Sequence, residues 1–442
     1  MRQVAVCTGC AMKLRRGIFL AAIAPLILVF VGIGAVLFLL QGGFAPMQIP
    51  RAAAAPISAT VDVVEHGKYL SRIGNCGICH TTRGGAEFAG GRAFDTPYGT
   101  VYSTNLTPDQ RTGLGDWSLE EFRHVLRNGV SRHGFLYPVF PYENFSKLVD
   151  ADIDALFAYL RSVPSMHAPA QANALEFPES RRGAILLWRM FNYRPQNFVA
   201  NPAQSAVWNR GRYLVDALGH CAFCHSTRGA LASLPASGYL AGGVIPVQGW
   251  YAPALDDTSL TRFSIDELAE FLRAGTSTHG AAYGPMAEVV LNGLQYLTAE
   301  DAVATATYLK LIRVAKNPPA EIHKIEHDLG ASAGDGLALY EKHCADCHGK
   351  DGRGKENIYP PLRDAVSVLA SDPMNAVRLV LYGGVVPTTA LNPRPYSMPP
   401  FAQQLSSTEV VAILNYIRQQ WGKQAATLTP ADIVRMQGIV LD

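Results

Sequence analysis

The sequence predicts a mainly α chain, built as three tandem small domains after one N-terminal transmembrane helix. Three observations carry this. The pentapeptide Cys-x-x-Cys-His occurs at Cys76–His80, Cys221–His225 and Cys344–His348. Each copy follows a short helix-forming stretch and precedes, after a Gly- and Pro-rich interval, an amphipathic stretch with helical periodicity. An uncharged apolar run, Ile18–Leu40, leads the chain.

Cys-x-x-Cys-His is the attachment motif of c-type haem. Two thiols add to the porphyrin vinyl groups and the adjacent imidazole reaches the iron. The composition of the chain gives only about 0.004 such matches by chance. Zinc needs four ligands and usually two neighbouring knuckles. Here each knuckle has its own histidine and lies far from the next, and a redox dithiol does not explain the repeated histidine. The expected cofactors are therefore three covalently bound haem c groups. Cys76, Cys79, Cys221, Cys224, Cys344 and Cys347 would attach them, and His80, His225 and His348 would be the proximal ligands. Each domain is then expected to be a class I cytochrome c domain.

A length of 442 residues suits about three domains. The net charge of +2 gives no electrostatic footprint for nucleic acid. The run Ile18–Leu40, about 23 residues long, is enough to cross a bilayer. Arg2, Lys13, Arg15 and Arg16 precede it and Arg51 is the next cation, so the rest of the chain is expected outside the cytoplasm. A cleaved signal peptide is the alternative, although its apolar part is usually shorter. Of the eight cysteines, Cys7 and Cys10 remain outside the motifs and cannot fill a zinc site alone. Met12-Lys-Leu-Arg-Arg resembles an ordinary start, so translation from Met12 is an expectation.

The expected layout is a cytoplasmic N-terminus over 1–17, the anchor over 18–40 and a tether over 41–60. Domains follow over 61–167, 205–316 and 330–427, with linkers over 168–204 and 317–329 and a C-terminal tail over 428–442. Closing helices are predicted over Asp152–Arg161, Glu300–Leu311 and Thr408–Gln420, with starts capped by Thr298 with Asp301 and by Ser406 with Glu409. Glycines in the opening helices would let the closing helices approach, with Tyr69 or Tyr213 meeting the closing-helix aromatics. The first two domains repeat further, as in Phe122–Gly129 against Leu268–Gly275. Trp188, Phe191, Tyr193 and Phe198 mark the first linker as a packed strap, or as a docking surface.

Electron transfer favours an iron with both axial positions filled, and methionine opposite histidine raises the potential. Met398, clamped by Pro399-Pro400, is the candidate in the third domain, with Met374 assigned to packing. Met286 is the candidate in the second. The first domain has Leu136–Tyr142 at the corresponding place, without methionine. Met166, His133 and an open position are the alternatives there, with His124 a surface helix residue. Asn105, Arg83, Arg92, Trp117 and Arg228 are candidate propionate contacts, against a plain role as solvated side chains.

Over residues 62–440 the chain resembles the three-haem cytochrome c subunit of bacterial membrane-bound periplasmic dehydrogenases. The carriers are the three haem motifs, Tyr102–Pro108, Leu136–Tyr142, Gly284–Val290, Gln295–Thr298 and Ser397–Phe401. The resemblance implies a subunit without a catalytic centre of its own, in the cell inner membrane with its haem domains facing the periplasm. It would pass electrons from a large catalytic subunit of molybdopterin, PQQ or flavin type to ubiquinone or a terminal oxidase. Phe140, where the alcohol dehydrogenase cytochromes carry methionine, points to an aldehyde dehydrogenase partner. Alcohol, sugar or gluconate dehydrogenases are alternatives, as is a self-contained haem enzyme such as a peroxidase.

Overall fold

The structure, a computed structural model, describes residues 60–229, 233–234, 236–312, 314, 333–355, 358–363, 365–370, 372–422 and 428–437, with Gly32 and Gly34. Among these no helix is long and apolar enough to cross a membrane. The expected anchor lies outside the described residues except for Gly32 and Gly34. So do residues 1–17 with Cys7, Cys10 and Met12, nearly all of the tether, and the linker 317–329.

The described chain is mainly helical, and a crossed helix pair recurs three times. In the first unit α1 (Val61–Ile73) buries Leu70, Ser71 and Ile73 and leads into α2 (Cys76–His80). α3 (Leu119–Asn128) starts at a capping box of Ser118 and Glu121 and stops at Gly129, whose φ of 58° is left-handed. α4 (Asp150–Ser162) carries acids in its first turn, buries Ile153, Leu156, Phe157 and Leu160, and crosses α1. Gly67 is the crossing point. A Cβ there would lie 1.9 Å from the Ala155 carbonyl oxygen and 2.8 Å from Tyr159 Cβ, so only glycine admits the approach. The linker contributes α5 (Arg182–Asn192).

The second unit repeats the plan. α6 (Ala206–Tyr213) continues through a π-helical turn, Leu214–Leu218, to α7 (Ala222–His225). α8 (Ile265–Ala274) has the matching box, Ser264 with Glu267, and the matching stop, Gly275. α9 (Pro285–Asn292) has proline in its first turn, and α10 (Ala299–Leu311) is capped by Thr298, which accepts from Asp301 N. Gly211 lies against Ala304 O as Gly67 does against Ala155 O. In the third unit α11 (Ala333–His343), α12 (Ala345–His348) and α13 (Met374–Tyr382) precede α14 (Ser407–Trp421), whose start is the expected Ser406–Glu409 box. Here Gly336 faces Ala412 O.

Two expectations change. Tyr69 and Tyr213 do not stay within their own helix pairs. Tyr69 donates to Asp301 at 2.5 Å and Tyr213 to Asp152 at 2.6 Å, each reaching the first turn of the other unit's closing helix. Residues of the first two units accordingly form one continuous hydrophobic core, while the third unit has its own. The expected C-terminal tail contains α15 (Pro430–Gln437), which buries Ile433 and Met436 in the core of the third unit, and Asn415 holds the backbone of Leu428.

The first linker packs as a strap. Ile185 is buried. Arg189 lies 4.8 Å from the Tyr142 ring and 4.4 Å from the Tyr193 ring and donates to Asn128 O. Phe198 sits edge-on to Tyr213. Phe191 is 79% exposed.

Candidate metal centres

Each Cys-x-x-Cys-His forms a single helical turn directly after an opening helix. The residue before the first cysteine is in the left-handed region in two of them, Asn75 (φ 55°) and His220 (φ 39°). The six motif thiols are free. Burial pushes Cys76 up to about 12, with Cys79 adding to it, and pushes Cys221 up to about 12. Burial likewise pushes Cys344 up to about 11, and Cys79 up to about 11 against the opposing pull of Arg92. Among the described residues no cluster of three or more His, Cys, Asp or Glu side chains could hold a bare metal ion.

The three histidines are oriented alike. Nδ1 of His80 lies 2.6 Å from Thr104 O, that of His225 2.7 Å from Pro253 O, and that of His348 2.9 Å from Pro360 O. A carbonyl oxygen only accepts, so each Nδ1 carries the proton and each Nε2 keeps its lone pair for a metal. Burial lowers all three imidazole pKa values, the carbonyl bonds opposing it, so the rings are neutral at pH 7. Paired free thiols beside an imidazole with a free Nε2 match the donor set that covalent haem c requires. The residues fit that group at all three places.

A glycine of positive φ closes each loop onto its histidine. The N–H groups of Gly90, Gly242 and Gly354 donate to the carbonyls of His80, His225 and His348. A Cβ would strike backbone at Gly90 and Gly354 and the Tyr251 hydroxyl at Gly242. Sequence reasoning missed these three glycines because their spacing from the histidines differs in every unit.

Met286 stands at the second position of α9, half-buried against the shared core. Met398 stands on a short strand paired with Gly384 and packs against the third core. Met374 starts α13 and packs in the same core. In the first unit Phe140 packs on Phe145, with ring centroids 5.4 Å apart. Met166 is 41% exposed. Its carbonyl accepts from Asn105, next to the Thr104 carbonyl that lies behind His80. His133 is exposed on a hairpin turn. His124 has Nδ1 against Asn128, and burial and Arg189 lower its pKa.

The propionate candidates are placed less uniformly than expected. Both amide hydrogens of Asn105 are used, by Thr112 and by Met166 O. Arg92 donates to Ile78 O at 2.7 Å and makes a bidentate pair with Glu288, two residues after Met286. It thereby ties the first attachment turn to the methionine helix of the second unit. Arg228 folds back on Phe223, donating to its carbonyl, whereas Arg83, at the matching offset, is exposed. Trp117 lies under the Arg132 guanidinium.

Residues 333–421 match the family described as Cytochrome c. The chain is 37% identical over 411 residues to the gluconate 2-dehydrogenase cytochrome c subunit of Pantoea cypripedii, covering 87% of this chain and 92% of the relative. It is 34% identical over 424 residues to the cytochrome c subunit of an alcohol dehydrogenase (quinone) from Gluconacetobacter polyoxogenes, covering 90% and 88%. It is 34% identical over 411 residues to the fructose dehydrogenase cytochrome subunit of Gluconobacter japonicus, covering 86% and 83%.

Proposed function

The chain belongs to the family of cytochrome c subunits of dehydrogenase complexes, and from that premise we propose that it holds three haem c groups in three tandem class I cytochrome c domains. Its role is electron transfer, as a subunit beside a separate catalytic dehydrogenase subunit. The observation that carries the number three is the repeated geometry of His80, His225 and His348, each with Nδ1 held by a carbonyl.

When bound, haem c supplies one-electron exchange at iron. The residues of the chain do the rest. The pairs Cys76 with Cys79, Cys221 with Cys224 and Cys344 with Cys347 hold the groups covalently. His80, His225 and His348 present Nε2. Met286 and Met398 offer thioether sulfur to the second and third groups, which favours the reduced state. The Arg92–Glu288 pair and the two Tyr–Asp contacts fix the first two units against each other, so their attachment turns keep a constant spacing.

In this reading the run Ile18–Leu40 anchors the chain in the cell inner membrane and the haem domains face the periplasm. The electron donor is an aldehyde dehydrogenase subunit, a choice supported by Phe140 within Leu136–Tyr142, and the acceptor is membrane ubiquinone or a terminal oxidase. Alcohol, sugar and gluconate dehydrogenases are the alternatives for the donor. The test is to purify the complex and follow the haem absorbance on adding aldehyde, alcohol, fructose or gluconate, then a soluble ubiquinone analogue. Reduction by aldehyde and reoxidation by quinone are expected. Reduction by another substrate alone would reassign the partner, and haems that no substrate reduces would overturn the reading.

A further inference from the structure

We propose that the first unit leaves the sixth coordination position of its iron without a protein ligand, as a binding site for a small neutral diatomic such as carbon monoxide. This rests on His80 holding a haem, and it concerns what stands opposite.

The internal repeat supplies the argument. Gly129 and Gly275 end matching helices and accept at their carbonyls from Leu136 N and Ala282 N respectively. The hairpins between them match residue for residue. Ser131 Oγ and Ser277 Oγ each bond the glycine carbonyl across the turn, and His133 N and His279 N each bond the serine. Tyr137 therefore stands opposite Tyr283, and counting on places Phe140 opposite Met286. The two units come back into step at Val149 and Thr298, the N-caps of the closing helices. The whole intervening stretch, Leu136–Leu148, contains no methionine, histidine or cysteine. Wherever the extra residues of the second unit fall, no sulfur or imidazole takes the place of Met286.

The remaining candidates are placed elsewhere. His133 has its counterpart in His279, which shares a unit with Met286 and sits 4.9 Å from the Phe263 ring. A histidine at this turn is thus a hairpin residue in both units, and His133 is exposed. The backbone of Met166 is fastened to Asn105 and Thr107, in the loop whose Thr104 carbonyl meets His80 Nδ1, and the residue is 41% exposed. His66 is bonded to Asp152, His167 is exposed and reaches Asp109, His220 lies against Gly74 O, and His124 faces Asn128 and α5. Phe140 itself borders a small cavity of mixed character, lined by Pro138, Trp188 and Phe223 and also by Glu143, Asn144 and Arg228. Its ring can give way to a diatomic but supplies no bond to iron.

The test uses the purified full chain, with haem stoichiometry measured by mass. On reduction and addition of carbon monoxide, about one third of the haem absorbance should shift, and the oxidised chain should show one high-spin haem by EPR. Phe140→Met should abolish both signals. Met286→Phe, in a chain that keeps Phe140, should double the fraction that responds, so the test does not depend on one variant folding. A wild-type chain with three covalent haems, all low-spin and silent to carbon monoxide, overturns the inference and leaves the electron-transfer reading standing. A chain without haem at Cys76 and Cys79 overturns both.

Discussion

Tyr69 donates to Asp301 at 2.5 Å, across 232 residues of chain and from one unit into the next. The contact is returned by Tyr213, which donates to Asp152 at 2.6 Å. Each carboxylate also takes a basic partner: His66 at 2.9 Å on Asp152, and the two-nitrogen fork of Arg210 on Asp301, each from the carboxylate's own unit. The seam thus has approximate two-fold character, built from one sequence pattern used twice.

Removing either hydroxyl leaves a buried carboxylate short of a donor. Tyr213→Phe and Tyr69→Phe should each cost about 1–3 kcal/mol. Thermal unfolding should show lower midpoints for both, with the double variant splitting the single transition of the first two units. Unchanged midpoints would mean the seam is held by apolar packing alone.

Asp301 gives the seam a pH dependence. Burial alone would raise its carboxyl pKa, but the hydrogen bonds from Arg210 and Tyr69 outweigh it and hold the group below its ordinary value. A carboxylate depressed in the folded state contributes stability that is complete above its unfolded pKa, near 4, and is lost as pH falls through the folded value. Melting temperature should therefore hold steady from neutrality down to about pH 5 and drop in stronger acid. Asp301→Asn should start lower and show a flatter acid limb.

The helix crossings leave no space for a methyl group. Gly67→Ala and Gly211→Ala each place Cβ 1.9 Å from a carbonyl oxygen, and Gly336→Ala 2.5 Å. All three should destabilise their unit by more than the about 1–3 kcal/mol of ordinary overpacking. The first two should be worse than the third. Yield of folded, haem-loaded protein is the measurement, and wild-type yield from Gly67→Ala would contradict the packing account.

Those glycines were legible in the sequence, as were the closing helices, to within a residue or two, and the Thr298 and Ser406 caps. All are local signals: periodicity, capping chemistry and repeated short motifs. The partners of Tyr69 and Tyr213 were not legible, because a hydrogen bond spanning 232 residues leaves no local trace. The burial of α15 was hidden for the same reason, since its few apolar residues lie beyond an apparently complete domain. The carbonyls behind His80, His225 and His348 come from loops of unequal length, so no fixed spacing revealed them.

Met286 and Met398 should set the potentials of their groups. Replacing either by alanine should leave covalent haem content unchanged and lower one midpoint by a sizeable part of the about 0.8 V that axial ligands span. Spectroelectrochemical titration resolves the separate waves. A variant that loses no potential would reduce that methionine to core packing.

The central claim is that every Cys-x-x-Cys-His turn holds a covalent haem. Intact mass of the purified chain under denaturing conditions tests it most directly, with peptide mapping to place each group. The account predicts the polypeptide plus three haems, one each at Cys76 with Cys79, Cys221 with Cys224 and Cys344 with Cys347. A mass of the bare polypeptide, or of the polypeptide with a single haem, would contradict it.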